Sequence, residues 1–177
     1  HFSSLSLTPN PMIFAGAHIS GAHFNPAVTL AVWIRGKCPT SDVVPYVIAQ
    51  LAAAAAAAWA VHFFKPDGVV GPFPIGVKAA LLAEFLFTFA LCWVILNTGT
   101  SKGTAGNSFY GLAIGMTVTT GAYAVGGVSG GAFNPAVAVV STLMGLQSWS
   151  NIWIYLVANL AGGAAAAFAF KFASSEE

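Results

Sequence analysis

The segment Ile19-Ser20-Gly21-Ala22-His23-Phe24-Asn25-Pro26-Ala27-Val28 returns as Val128-Ser129-Gly130-Gly131-Ala132-Phe133-Asn134-Pro135-Ala136-Val137, 109 residues further on. The same offset carries Gly36 onto Gly145. It also carries Tyr46-Val47-Ile48-Ala49-Gln50-Leu51-Ala52 onto Tyr155-Leu156-Val157-Ala158-Asn159-Leu160-Ala161 without a gap. A register held over more than 30 residues is an internal duplication. Chance likeness between two apolar helices does not account for two Asn-Pro-Ala tripeptides at that spacing.

Composition sets the solvent around this duplication. Of the 177 residues, 57% are hydrophobic and 6% are charged, against about 25% charged in soluble domains. Between Lys102 and Lys171 lie 68 residues without an ionised side chain. As one straight helix they would run roughly 100 Å at about 1.5 Å per residue, more than three times the ~30 Å hydrocarbon core. The chain must fold back on itself inside a bilayer. A soluble enzyme, a nucleic-acid binder and a disordered tail are excluded. The net charge of +1 implies no acidic partner. Cys38 and Cys92 stand in no metal or redox spacing and read as buried, inert thiols.

Four apolar runs are long enough to span: residues 43–64, 79–97, 106–125 and 152–170. Lys65-Pro66-Asp67-Gly68, Gly71-Pro72-Phe73-Pro74 and residues 98–102 separate them as turns. Residues 27–34 and 136–143 are too short to cross, and each follows a Gly-rich segment and Asn-Pro-Ala. Short, interrupted segments in matching positions of two halves point to a transport site. Three spans between the two motifs would invert the second copy relative to the first. Arg35, Lys37, Lys102 and Lys171 then fall on one side, read as cytoplasmic, against Lys65 and Lys78 on the other.

Asn at an N-cap and Pro at the first helical position start a helix efficiently, because the missing prolyl N–H is not needed there. Here that start lies inside the membrane. Its unpaired N–H groups and partial positive charge are tolerable only against a water-filled path or another protein element. Two inverted half-helices meeting near the midplane supply both, and place Asn25 and Asn134 side by side as donors into a narrow pore.

These residues resemble the aquaporin, or major intrinsic protein, family. The resemblance rests on residues 20–29, on Ala83-Glu84-Phe85 with Thr88-Phe89, and on residues 129–136. It implies an all-α membrane fold with an inverted repeat, two Asn-Pro-Ala half-helices and six spans. It further implies a homotetramer in the lipid bilayer of a plasma or bacterial inner membrane, passing water and small neutral solutes through one pore per chain. The pore residues carried over are Asn25, Pro26, Ala27, Asn134, Pro135 and Ala136. The carbonyls of Gly21, Ala22, His23, Gly130, Gly131 and Ala132 form an acceptor ladder, and Glu84 braces the loop before an Asn-Pro-Ala motif.

Two departures from the family stand out. Its outer constriction usually has Arg directly after the second Asn-Pro-Ala, where this chain has Val137, and a bulky residue where it has Ala122, with Gly131 between them in sequence. A small, apolar filter of Ala122, Gly131 and Val137 should be wide, admitting solutes of the glycerol, urea, ammonia or peroxide kind. The second departure is at the N-terminus. Residues 1–70 read as a remnant of the first repeat, with a partial second span, a half-helix and the third span. Residues 71–177 form a second repeat of three spans and a half-helix. Residues 3–11 read as a polar loop and residues 12–17 as a helix tail. No signal peptide is expected, and truncation is favoured over a natural four-span protein. The remaining readings are a glycerol- or ammonia-type facilitator and a non-conducting assembly subunit. No cofactor, metal or nucleic acid is expected. His18 and His23 have a poor metal spacing, and no second acid, base or nucleophile accompanies Glu84 for catalysis.

Overall fold

The computed structural model describes residues 9–66, 68 and 71–174. Residues 3–8 of the stretch read as a loop, Asp67 and residues 175–177 lie outside these. The helices are α1 (Pro9–Ser20), α2 (Pro26–Ile34), α3 (Thr40–Phe64), α4 (Val77–Gly99), α5 (Tyr110–Ser129), α6 (Pro135–Leu143) and α7 (Ile152–Ala173). Two single 3₁₀ turns, Lys102–Thr104 and Trp149–Asn151, precede α5 and α7. No strand occurs among the described residues.

Four helices are long and apolar enough to cross a membrane: α3, α4, α5, and α7 taken with its leading turn. α3, α4 and α7 cover the spans expected at 43–64, 79–97 and 152–170 and extend a few residues beyond them, whereas α5 is shifted: it leaves out residues 106–109 of the expected 106–125 and runs on to Ser129. The helix at the N-terminus runs further than expected. It begins at Pro9 rather than Met12 and continues to Ser20. Proline is accepted in a first helical turn, so the Pro9-Asn10-Pro11 stretch starts a helix instead of ending a loop.

The 109-residue repeat is visible in the helix ends. Pro26 and Ile34 bound α2 as Pro135 and Leu143 bound α6. Thr40–Phe64 maps onto Trp149–Ala173, and α1 and α5 stop at Ser20 and Ser129. α4 packs along α7 and α5, α2 along α7, α6 along α3 and α1 along α5.

Small residues permit these approaches. A Cβ on Gly162 would stand 2.6 Å from the Phe85 carbonyl oxygen. One on Gly163 would stand 2.6 Å from that of Ala27. Backbones that approach this closely gain dispersion where lipid offers no hydrophobic drive. Val28, Ala31, Val32, Cys92, Leu96, Ala166, Ala167 and Phe170 form the buried cluster between α2, α4 and α7.

Candidate functional site

Each half-helix starts in the same way. Asn25 (φ −157°) and Asn134 (φ −162°) are extended N-caps whose side chains accept from Ala27 N and Ala136 N, and Pro26 and Pro135 take the first helical position. Both accepted bonds measure 2.9 Å. The caps leave each amide nitrogen facing the other repeat. Asn25 Nδ2 donates to the Phe133 carbonyl at 2.9 Å, and Asn134 Nδ2 donates to the Phe24 carbonyl at 2.9 Å. An amide nitrogen has two protons, and these reciprocal bonds use one from each. The two half-helix ends are thereby tied together. Asn25 is buried and Asn134 is half-buried.

The loops entering these caps are wound through left-handed backbone. Gly21, Ala22 and Phe24 have φ of 81°, 51° and 48°, and their repeat mates Gly130, Gly131 and Phe133 have 90°, 65° and 47°. Residues other than Gly lose roughly 1–2 kcal/mol in this region, so the three non-glycine positions must be held from outside. For the second loop the holder is Glu84 on α4, fully buried. It accepts from Ser129 Oγ (2.7 Å) and Ala132 N (2.9 Å) on one oxygen, and from Phe133 N (2.7 Å) on the other. Tyr155 on α7 adds a bond from its hydroxyl to the Ser129 carbonyl.

The first loop is held by a different set. Thr29 Oγ donates to the Asn25 carbonyl (3.2 Å) and accepts from Gln50 Nε2 on α3 (2.9 Å). The Thr29 hydroxyl has a single proton. The 3.3 Å contact of His23 Nδ1 with Thr29 Oγ therefore has the imidazole donating from Nδ1. His23 also stacks on Tyr46 at 4.7 Å between ring centroids. Burial lowers the His23 pKa below the usual imidazole value, which favours the neutral ring in this loop. Thr29, Gln50 and Tyr155 were not singled out from sequence, although Gln50 and Asn159 occupy the same repeat position, a signal that could have flagged them.

The expected filter residues are spread over two places. Gly131 lies against α5, where a Cβ on it would meet Gly126 Cα at 3.4 Å and Ala122 Cα at 3.6 Å. Val137 lines a cleft of about 180 Å³ with Phe24, Gln50, Ala53, Asn134 and Val140. Gly131→Ala should fold, because Ala22 already holds the matching left-handed position and those distances are ordinary contact. The expected cost is about 1–2 kcal/mol, read as a lower thermal midpoint in detergent. An unfolded variant would show the loop to be tighter than these distances indicate.

His62, near the end of α3, touches the last turn of α6 through a 3.3 Å contact of Nε2 with the Leu143 carbonyl. Among the described residues no three His, Cys, Asp or Glu side chains gather as a metal group.

Comparison with known proteins adds to this geometry. The profile of the family described as Major intrinsic protein matches residues 6–170. Aquaporin NIP1-4 of Oryza sativa subsp. japonica is 36% identical over 164 residues, covering 90% of this chain and 59% of that protein. Aquaporin AqpM of Methanothermobacter thermautotrophicus is 35% identical over 180 residues, covering 93% and 72%. The chain thus spans about 60% of the length of several relatives it matches. The X-ray structure of the aquaglyceroporin from Plasmodium falciparum superposes with a TM-score of 0.78 at 22% identity, covering 96% of this chain and 81% of that one. That likeness speaks for the fold alone. Paired Asn-capped half-helices, four membrane-spanning helices and a family match over nearly the whole length converge: the chain is a multi-pass integral membrane protein and belongs to the major intrinsic protein family.

Proposed function

We propose that the chain serves as a passive transmembrane channel for water and small neutral solutes, with residues 71–177 as its second repeat and residues 1–70 as the part of the first repeat that carries a partial second span, the half-helix and the third span. The observation that carries this reading is the reciprocal pair of bonds from Asn25 to the Phe133 carbonyl and from Asn134 to the Phe24 carbonyl. It fixes two half-helix N-termini against each other. Each end carries about half a positive charge, and each Asn amide keeps a second proton to offer a passing oxygen. A water molecule between them is oriented with its oxygen toward both amides, while a cation meets two positive ends. Aquaporin-type pores are the known example of such exclusion by half-helix dipoles.

The carbonyls of Gly21, Ala22, His23, Gly130, Gly131 and Ala132 supply acceptors along the path, since the left-handed loop backbone turns successive peptides away from helical pairing. Ala122, Gly131 and Val137 form the outer aperture. With no cation among them, a hydroxyl- or amide-bearing solute meets no fixed charge at these three positions, which favours a facilitator of glycerol, urea or ammonia alongside water. The working unit is a homotetramer in a cell membrane, and no step calls for catalysis or a cofactor.

Stopped-flow light scattering on proteoliposomes tests this. Wild type is expected to pass water well above empty vesicles, and to pass glycerol or urea as well. Asn134→Asp replaces a donor by a carboxylate between two positive helix ends, and should lower water flux at least tenfold. Unchanged flux in that variant would remove Asn134 from the path. Water flux with all the solutes excluded would refute the wide filter. Flux no greater than that of empty vesicles would leave the non-conducting subunit as the reading.

A further inference from the structure

On the outer surface of the bundle α4 and α7 leave a shallow groove between them, which neither of the paired Asn residues lines. Its volume is about 420 Å³, and Lys78, Leu81, Leu82, Phe85, Val157, Ala158 and Ala161 line it. Ala158 and Ala161 make the floor low, and Leu82 and Val157 stand more than half exposed on its walls. These positions lie in the early turns of α4 and α7, so the groove sits in one leaflet, at the level of the α3–α4 connection. Lys78 is at its mouth, one residue into α4. Trp153, one turn before Val157 on the same face of α7, is 47% exposed. A lysine and a tryptophan flanking an apolar groove at helix ends are placed at the headgroup level.

Charge decides the occupant. The chain has five carboxylates: Asp42, Asp67, Glu84, Glu176 and Glu177. Glu84 is buried and engaged with Ser129, Ala132 and Phe133. Asp42 lies in the first turn of α3, at the opposite face of the membrane. A second copy in the same orientation would bring its own Lys65 and Lys78 to this level, like charges facing Lys78. We propose that the groove holds an acyl chain of an anionic phospholipid, its phosphate against the Lys78 ammonium. The lysine stem lies along the groove and its head reaches the lipid phosphate, as long basic side chains do at interfaces.

Native mass spectrometry of the full chain, released from detergent with added phosphatidylglycerol or phosphatidylcholine, tests this. Wild type is expected to retain phosphatidylglycerol in preference to phosphatidylcholine. Lys78→Gln, at an exposed position, should weaken phosphatidylglycerol retention about fivefold, the factor expected for one basic residue near an anionic lipid. Ala161→Leu fills the groove floor and should lower retention of both lipids. Lys65→Gln, on the same membrane face outside the groove, should leave retention unchanged. Equal phosphatidylglycerol retention by wild type and Lys78→Gln would overturn the proposal, as would an equal loss in Lys65→Gln. Displacement of the lipid by inorganic phosphate would show a free-anion site instead. A wild-type oligomer that excludes both lipids and cross-links through α4 and α7 would show a second copy there.

Discussion

Replacing Glu84 with alanine is expected to cost about 3–5 kcal/mol of stability and to abolish conduction. Its two oxygens accept from Ser129 Oγ, Ala132 N and Phe133 N. Each buried donor left without an acceptor costs about 1–3 kcal/mol, and Ala132 and Phe133, which carry two of those donors, are themselves buried. The loss falls on a loop already held in left-handed backbone at Gly130, Gly131 and Phe133. Released from Glu84, that loop would relax and carry the Phe133 carbonyl away from Asn25. Glu84→Gln keeps one acceptor oxygen but turns an NH₂ toward a donor, so an intermediate loss is expected. Thermal unfolding in detergent, followed by the five tryptophans, and vesicle water flux give the two readouts. A midpoint for Glu84→Ala within a degree or two of wild type would mean the loop holds itself.

The second large effect is expected at Gly163. A methyl there would stand 2.6 Å from the Ala27 carbonyl oxygen, 3.2 Å from its carbon and 3.4 Å from its Cβ. None of these is the end of a flexible side chain, so α2 must move as a body or α7 must bend. Overpacking of this kind costs about 1–3 kcal/mol for the smallest addition, and Gly163→Val should exceed that range. The displacement starts in the second residue of the first half-helix, next to Asn25, so water flux should fall together with stability. Gly127→Ala is the control. It is also a helical glycine, in the last turn of α5, but its Cβ would meet nothing within 4 Å, so its replacement should leave stability unchanged or raise it by at most about 0.5–1 kcal/mol. Equal behaviour of the Gly163→Ala and Gly127→Ala variants would contradict the close approach of α2 and α7.

Much of the helical layout is legible in the residues because it is written twice. Asn-Pro marks the start of both α2 and α6, for the local reason that an extended Asn caps two positions ahead and proline needs no partner. The four spans follow from apolar length. The start of α1 was less legible. Pro9-Asn10-Pro11 has the composition of a turn, and only the continuation into Ser20 shows the two prolines sitting in a first helical turn.

The sequence by itself determined that this chain lives in a bilayer, that it is an internal repeat, that four helices are long enough to cross the membrane, and where the two that stop within it begin. These are consequences of backbone hydrogen bonding in a medium without water, where residue type and spacing suffice. Only the tertiary structure decided which atoms meet across large sequence separations. It spends one proton of each Asn amide on the opposite loop, gives the second loop to Glu84 and the first to Thr29 and Gln50, and seats Ala27 against Gly163. It also sets Gly131 beside Ala122 and Val137 in the cleft with Asn134. The reason is geometric. Hydrogen-bond partners and close backbone contacts between elements depend on how whole helices are placed, and that placement is fixed by the packing of many small residues together, not by any one segment.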